Sequence, residues 1–121
     1  MADSRRVKKY ADSVKRAISE IIEFRVKDPH KGFVTVTRVK VSPDLKIASI
    51  YYAVLGDHTQ REETRLVFSR SGSFIRNELK PYIRSRWLPE LRFFYDESFE
   101  QAGKIEQLLR KIRTDNDSEA Q

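Results

Sequence analysis

Five cations crowd one short stretch of the sequence: Arg70, Arg76, Lys80, Arg84 and Arg86, with Glu78 the single acid among residues 70–86. Arg76, Lys80 and Arg84 recur every four residues, which lines them along one side of a helix if that helix continues through Pro81. A row of cations at this spacing can track a phosphate backbone. Between Arg70 and Arg76 lies Ser71-Gly72-Ser73, a run of small residues where a polyanion could come close to main-chain N–H groups. The same residues also fit a solubilising helix face with Gly72 as an ordinary cap. A second basic set, Lys8, Lys9, Lys15 and Arg16, lies near the N-terminus and gives way to Glu20 and Glu23. There, phosphate contact and a solvated helix face both stay open.

Other chemistry is sparse. His30 and His58 fall in expected loops without a carboxylate or histidine at ligand or proton-relay spacing. Ser71 and Ser73 lack the context of a nucleophile elbow, and no glycine pattern matches a P-loop or a dinucleotide fold. The chain has no cysteine, which removes disulfides, thiolate zinc sites and redox motifs, and permits a reducing compartment. No catalytic residue, metal ligand or cofactor is assigned.

The elements that must position the cations fit one domain. The chain has 121 residues, 24 Lys and Arg against 18 Asp and Glu, and a net charge of +6. No apolar run approaches the roughly 20 residues of a membrane-spanning helix. Residues 114–121 carry Asp115, Asp117 and Glu119 with no base and no large apolar side chain, and are expected to be a disordered acidic tail. The domain, residues 1–113, then carries +9. Charge of this size points to a polyanionic partner.

Val7, Ala11, Val14, Ile18 and Ile21, flanked by Tyr10, Ala17 and Ile22, predict a helix from about Ser4 to Val26. Asp3 or Ser4 can cap it. Asp3 and Asp12 argue against a targeting peptide. Pro29 and Gly32 end this segment, and Phe33–Val41 reads as a strand. Its valines change parity, so a bulge near Thr37–Arg38 is needed to keep Val34, Val36, Val39 and Val41 on one buried face. Ser42-Pro43-Asp44-Leu45 suits a type I turn. The strand Lys46–Leu55 follows, with Ala48, Ile50, Tyr52 and Val54 inward.

Thr59-Gln60-Arg61-Glu62 predicts a capping box for a second helix carrying Leu66, Val67 and Phe68. The small residues 71–73 predict a kink, and a third helix then places Phe74, Ile75, Leu79, Tyr82 and Ile83 inward until Pro81 bends or ends it. Leu91, Phe93 and Tyr95 alternate as a third strand, at a parity that makes Phe93 and Tyr95 core residues rather than stacking platforms. Ser98-Phe99-Glu100-Gln101 offers a capping box for a last helix with Phe99, Ala102, Ile105, Leu108, Leu109 and Ile112 inward. The expected order is α-β-β-α-α-β-α, an α+β domain.

Along nearly all of this domain the sequence resembles the bacterial ribosome-binding factor A family. The resemblance rests on Lys27-Asp28-Pro29-His30-Lys31-Gly32-Phe33-Val34-Thr35-Val36-Thr37, on Val41-Ser42-Pro43-Asp44-Leu45, and on Val54-Leu55-Gly56-Asp57. It continues in Phe74-Ile75-Arg76, Pro89-Glu90-Leu91-Arg92-Phe93 and Tyr95-Asp96-Glu97-Ser98. Each stretch is short, but their order and spacing are specific.

The resemblance implies a type II KH-like fold, with helices packed on a three-stranded sheet, and a protein that is not an enzyme. It implies a cytoplasmic factor, a monomer when free, that binds the immature small (30S) ribosomal subunit and its precursor rRNA, with neighbouring ribosomal proteins as further contacts. It also implies a role in late maturation and 5′-end processing of 16S rRNA that matters most in the cold. The family's Ala-x-Gly kink falls on Ser71-Gly72-Ser73, so glycine's freedom is lost at Ser73 and Gly72 stands one residue early. The RNA-binding residues expected are Arg70, Ser71, Gly72, Ser73, Arg76, Lys80, Arg84 and Arg86, with Lys8, Lys9, Lys15 and Arg16 as a second patch. Two rival readings are a protein-interaction module and a nuclease that trims rRNA.

Overall fold

The structure, a computed structural model, describes residues 4–98 and Arg110. Helix α1 (Ser4–Phe24) forms on the apolar stripe and buries Ala11, Val14, Ala17, Ile18, Ile21 and Ile22. It ends in backbone bonds from Arg25 and Val26, both to the Ile21 carbonyl. Lys31 donates its ammonium to the carbonyl of Ile22, which the helix leaves without an internal donor. Asp3 lies outside the described residues.

Strands β1 (Phe33–Val41) and β2 (Ile47–Leu55) pair antiparallel. Val34 lies opposite Val54 and Val36 opposite Tyr52, after which the register shifts so that Arg38 meets Tyr51 and Val39 meets Ile50. Thr37 is the extra residue, so the bulge sits where the valine parity requires it. Val36 is buried, and Val34, Val39 and Val41 pack against the same core. On β2, Ala48, Ile50, Tyr52 and Val54 all face inward, as their alternation predicts. At the hairpin the Leu45 N–H donates to the Ser42 carbonyl, and Leu45 itself has φ +62°, a left-handed conformation uncommon for leucine.

Strand β3 (Glu90–Tyr95) pairs parallel with β2, giving the sheet order β1-β2-β3. Parallel neighbours need a long crossover, here provided by helix α2 (His58–Glu78) and a 3-10 turn at Lys80–Tyr82. Phe93 stacks on Phe68 at 4.9 Å between centroids, and Tyr95 meets Tyr52 edge-on at 5.7 Å. Both strand aromatics are therefore core-facing, as their parity predicts.

Helix α2 departs from expectation in three ways. Its cap is Asp57, two residues before the expected position, so His58, expected in a loop, is the first residue of the helix. The Asp57 carboxylate accepts from the Gln60 N–H, and the Gln60 side chain accepts from the Asp57 N–H, both at 3.0 Å. The helix also continues through Ser71-Gly72-Ser73 without a break, so the expected second and third helices are one. A helical glycine costs about 1 kcal/mol relative to alanine. Burial of Val67 and Phe68 before the site, and of Ile75 and Leu79 after it, contributes about 1.5–3 kcal/mol each and outweighs that cost. Finally, α2 stops at Glu78 with Leu79 as its C-cap, because Pro81 has no N–H to give the Asn77 carbonyl.

The described residues thus follow the order α-β-β-α-β. Phe74 and Tyr82, expected inward, are 46 % and 37 % exposed, whereas Ile83 packs on the core. Residues 97 and 98 are helical, and the Ser98 hydroxyl donates to Asp96, which also accepts from bulge residue Thr37. Of the rest of the expected last helix only Arg110 is described, and it is helical; the acidic tail lies outside the described residues. No helix among the described residues is long and apolar enough to cross a membrane.

Candidate nucleic-acid interface

The end of α2 at Pro81 decides where the cations go. Arg76 stays in the last turn of α2, Lys80 enters the 3-10 turn, and Arg84 and Arg86 fall in the irregular segment leading to β3. The expected row along one helix face is therefore broken at Pro81. The segment is held at both ends. Arg76 donates from Nε to the Pro89 carbonyl at 2.9 Å and from Nη2 to the Leu88 carbonyl at 3.0 Å, while Pro89 itself is fully buried. At the other end Ile83 packs against the core.

Between these anchors the segment closes onto α1. Ser85 donates its hydroxyl to the Trp87 carbonyl at 2.7 Å, and so accepts from the Tyr10 hydroxyl at 3.0 Å. The result is a cleft of about 590 Å³, walled on one side by Arg6, Lys9, Tyr10 and Ser13 of α1 and on the other by residues 82–87. Asp44 and Leu45 of the hairpin turn close one margin. Four cations, Arg6, Lys9, Arg84 and Arg86, meet the single acid Asp44 here. Hydrogen bonds from the Ser42 hydroxyl and the Lys46 N–H hold the Asp44 carboxyl below the usual aspartate range, so it remains an anion.

Three aromatic rings line the cleft, Tyr10 from α1 and Tyr82 and Trp87 from the opposite wall, and Trp87 is 50 % exposed. Arg86 and Lys46 lie over the Trp87 ring, at 5.0 and 5.9 Å from its centroid. Cations beside an exposed indole are a combination suited to a ligand that carries both a flat ring and a negative charge.

The fold brings together Lys9, Arg84 and Arg86 from the residues expected in the sequence, and joins the two basic sets through them. Arg76 and Lys80 line a smaller adjoining depression with Arg86 and Trp87, and the remaining expected residues lie apart. Arg70 pairs with Asp28 at 3.0 Å, beside a shallow depression lined by residues 25–30, Ser71 and Phe74. The backbone N–H of His30 and then the Arg70 guanidinium hold the Asp28 carboxyl below its ordinary value. Gly72 is helical, and a Cβ there would meet nothing within 4 Å. Ser73 and Lys8 are exposed. Lys15 and Arg16 lie among Asp12, Glu20 and Glu23, so that part of α1 is mixed in charge.

Sequence reasoning missed Arg6, Tyr10, Tyr82 and Trp87. Tyr82 and Trp87 alternate with Lys80, Arg84 and Arg86, and this interleaving of bases and aromatics was the available signal.

A three-stranded mixed sheet with α1 and α2 packed on one face, carrying a basic, aromatic-walled cleft at one end, is an α+β domain of the KH-like kind. The family model described as ribosome-binding factor A matches residues 6–109. Ribosome-binding factor A of Geobacter sulfurreducens is 39 % identical over 114 residues, covering 94 % of this chain and 97 % of that protein. Among solved structures, a Thermotoga maritima candidate ribosome binding factor A has a TM-score of 0.69 at 28 % identity, over 80 % of this chain and 92 % of its own. A coordinate set for Thermus thermophilus ribosome binding factor A, fitted into the cryo-EM map of a complex with the 30S subunit, has a TM-score of 0.61 at 27 % identity, over 73 % of this chain and 92 % of its own. The chain belongs to the ribosome-binding factor A family.

Proposed function

We propose that this protein binds the immature small ribosomal subunit through its rRNA and assists late maturation of that subunit, including 5′-end processing of 16S rRNA, by binding alone in the cytoplasm. The observation that carries the reading is the convergence of Arg6, Lys9, Arg84 and Arg86 from two distant segments on one cleft beside exposed Trp87. The relative fitted into a 30S complex supports the choice of partner. Phosphate contacts of this kind position a protein without reading sequence, so rRNA shape would select the site. Neighbouring ribosomal proteins are further contacts, favoured by Phe33 and Leu55, a facing pair on β1 and β2 that are 74 % and 75 % exposed.

Co-sedimentation with small subunits, with and without nuclease, tests the partner. Association through rRNA is lost on digestion, whereas a complex that survives digestion supports a protein-only module. Incubation with precursor rRNA and magnesium tests the mode of action. Unchanged RNA is expected, and specific cleavage would contradict action by binding alone.

A further inference from the structure

We propose that the cleft between α1 and residues 82–87 is a nucleotide site, in which one unstacked base of single-stranded rRNA lies on the Trp87 ring and its phosphate is held by Arg84 and Arg86. The proposal rests on the RNA-binding reading above and adds what the cleft takes. Three observations carry it.

The first is exposure of a costly group. Trp87 leaves half its surface in solvent although the Ser85 and Pro89 neighbours on either side of it are tied down, through Tyr10 and Arg76 respectively. A ring held on an anchored backbone is a preformed platform, and base–aromatic stacking contributes about 1–3 kcal/mol per base. The second is the position of charge. Arg86 and Lys46 lie over the ring at 5.0 and 5.9 Å from its centroid, so a base entering onto the indole displaces one of these flexible side chains from the face and its phosphate meets the displaced cation at short range. Asp44, an anion on the hairpin margin, repels a phosphate from that side and directs it toward Arg84 and Arg86. The third is size. A volume of about 590 Å³ with an open mouth accommodates a nucleotide and leaves its strand free to continue in both directions. An acidic peptide without aromatic residues would satisfy the cations but supply no ring for Trp87. An A-form duplex would supply phosphates but keep its bases stacked.

The chain contains one tryptophan, so indole emission reports this site alone. The full-length protein is titrated with a single-stranded RNA hexanucleotide, an RNA duplex, a hexanucleotide lacking bases, and polyglutamate. The single strand is expected to quench Trp87, with the other three giving little quenching at matched charge. By anisotropy of a labelled single strand, Trp87→Ala should weaken binding about tenfold, and Trp87→Phe should restore much of it. Thermal unfolding of both variants should match the parent, since the ring is half exposed. Binding of the single strand with unchanged emission and unchanged affinity of Trp87→Ala would overturn the base site and leave the RNA-binding reading intact. Equal quenching by polyglutamate would also overturn it. Failure of every RNA to bind would overturn both.

Discussion

The Tyr10 hydroxyl donates to Ser85 Oγ at 3.0 Å across 75 residues of sequence, and this bond joins the two basic segments of the molecule. Ser85 passes the connection to the Trp87 carbonyl. Tyr10→Phe keeps the ring and removes only the donor. The expected loss of stability is about 1 kcal/mol by denaturant unfolding, together with a shift in Trp87 emission as residues 85–87 loosen. Unchanged emission would mean that the bond does not hold the segment.

Arg76 and Lys80 look equivalent in sequence but differ in the fold. Arg76→Ala withdraws donors from the Leu88 and Pro89 carbonyls and should cost about 1–3 kcal/mol of stability. Lys80→Ala, at an exposed position of the 3-10 turn, should stay within about 0.5 kcal/mol of the parent. Equal stabilities of the two variants would contradict the clamp assigned to Arg76.

Two glycines test opposite situations. At Gly32 a Cβ would lie 2.8 Å from Val54 Cγ1 and 3.1 Å from Thr64 Oγ1, the hydroxyl that accepts the Gly32 N–H. Gly32→Ala should therefore destabilise by about 1–3 kcal/mol through overpacking. Gly72→Ala places its methyl in open space within a helix and should stabilise by about 0.5–1 kcal/mol. If Gly72 admits an RNA backbone, the same variant weakens small-subunit association while raising the unfolding temperature. A rise in both would remove Gly72 from the interface.

How much of this was legible in the sequence differs by element. The stripe of α1, the inward face of β2 and even the bulge at Thr37 follow from local periodicity, because one buried face leaves a strand or helix little choice. The cap of α2 was also written locally, as Asp57 and Gln60, but competed with a second similar spacing at Thr59 and Glu62. The continuity of α2 through Gly72 was not legible, since it depends on what Val67, Phe68, Ile75 and Leu79 bury against. The cleft was half legible: Lys9, Arg84 and Arg86 stood out by charge, while Arg6 and the aromatic wall depend on α1 meeting residues 82–87, a contact without local signature.

Acid should loosen the linker after α1. Asp28 has a depressed folded-state pKa, set by the His30 N–H first and by Arg70 second. A depressed carboxylate contributes stability that is present at neutral pH, above its ordinary value, and is lost as pH falls through the folded value. In an NMR titration the Asp28 midpoint should lie below that of an exposed aspartate, and Arg70→Ala should move it upward. A midpoint insensitive to Arg70→Ala would show that the pair does not persist in solution.

The central claim, that Arg84 and Arg86 hold rRNA phosphates at this cleft, is tested most directly by small-subunit association across a salt series. The parent protein should lose affinity steeply as salt rises. Arg84→Ala combined with Arg86→Ala should bind more weakly and flatten the logarithmic salt slope by about two, one for each phosphate contact removed. A double variant with the parent's affinity and slope would contradict the account.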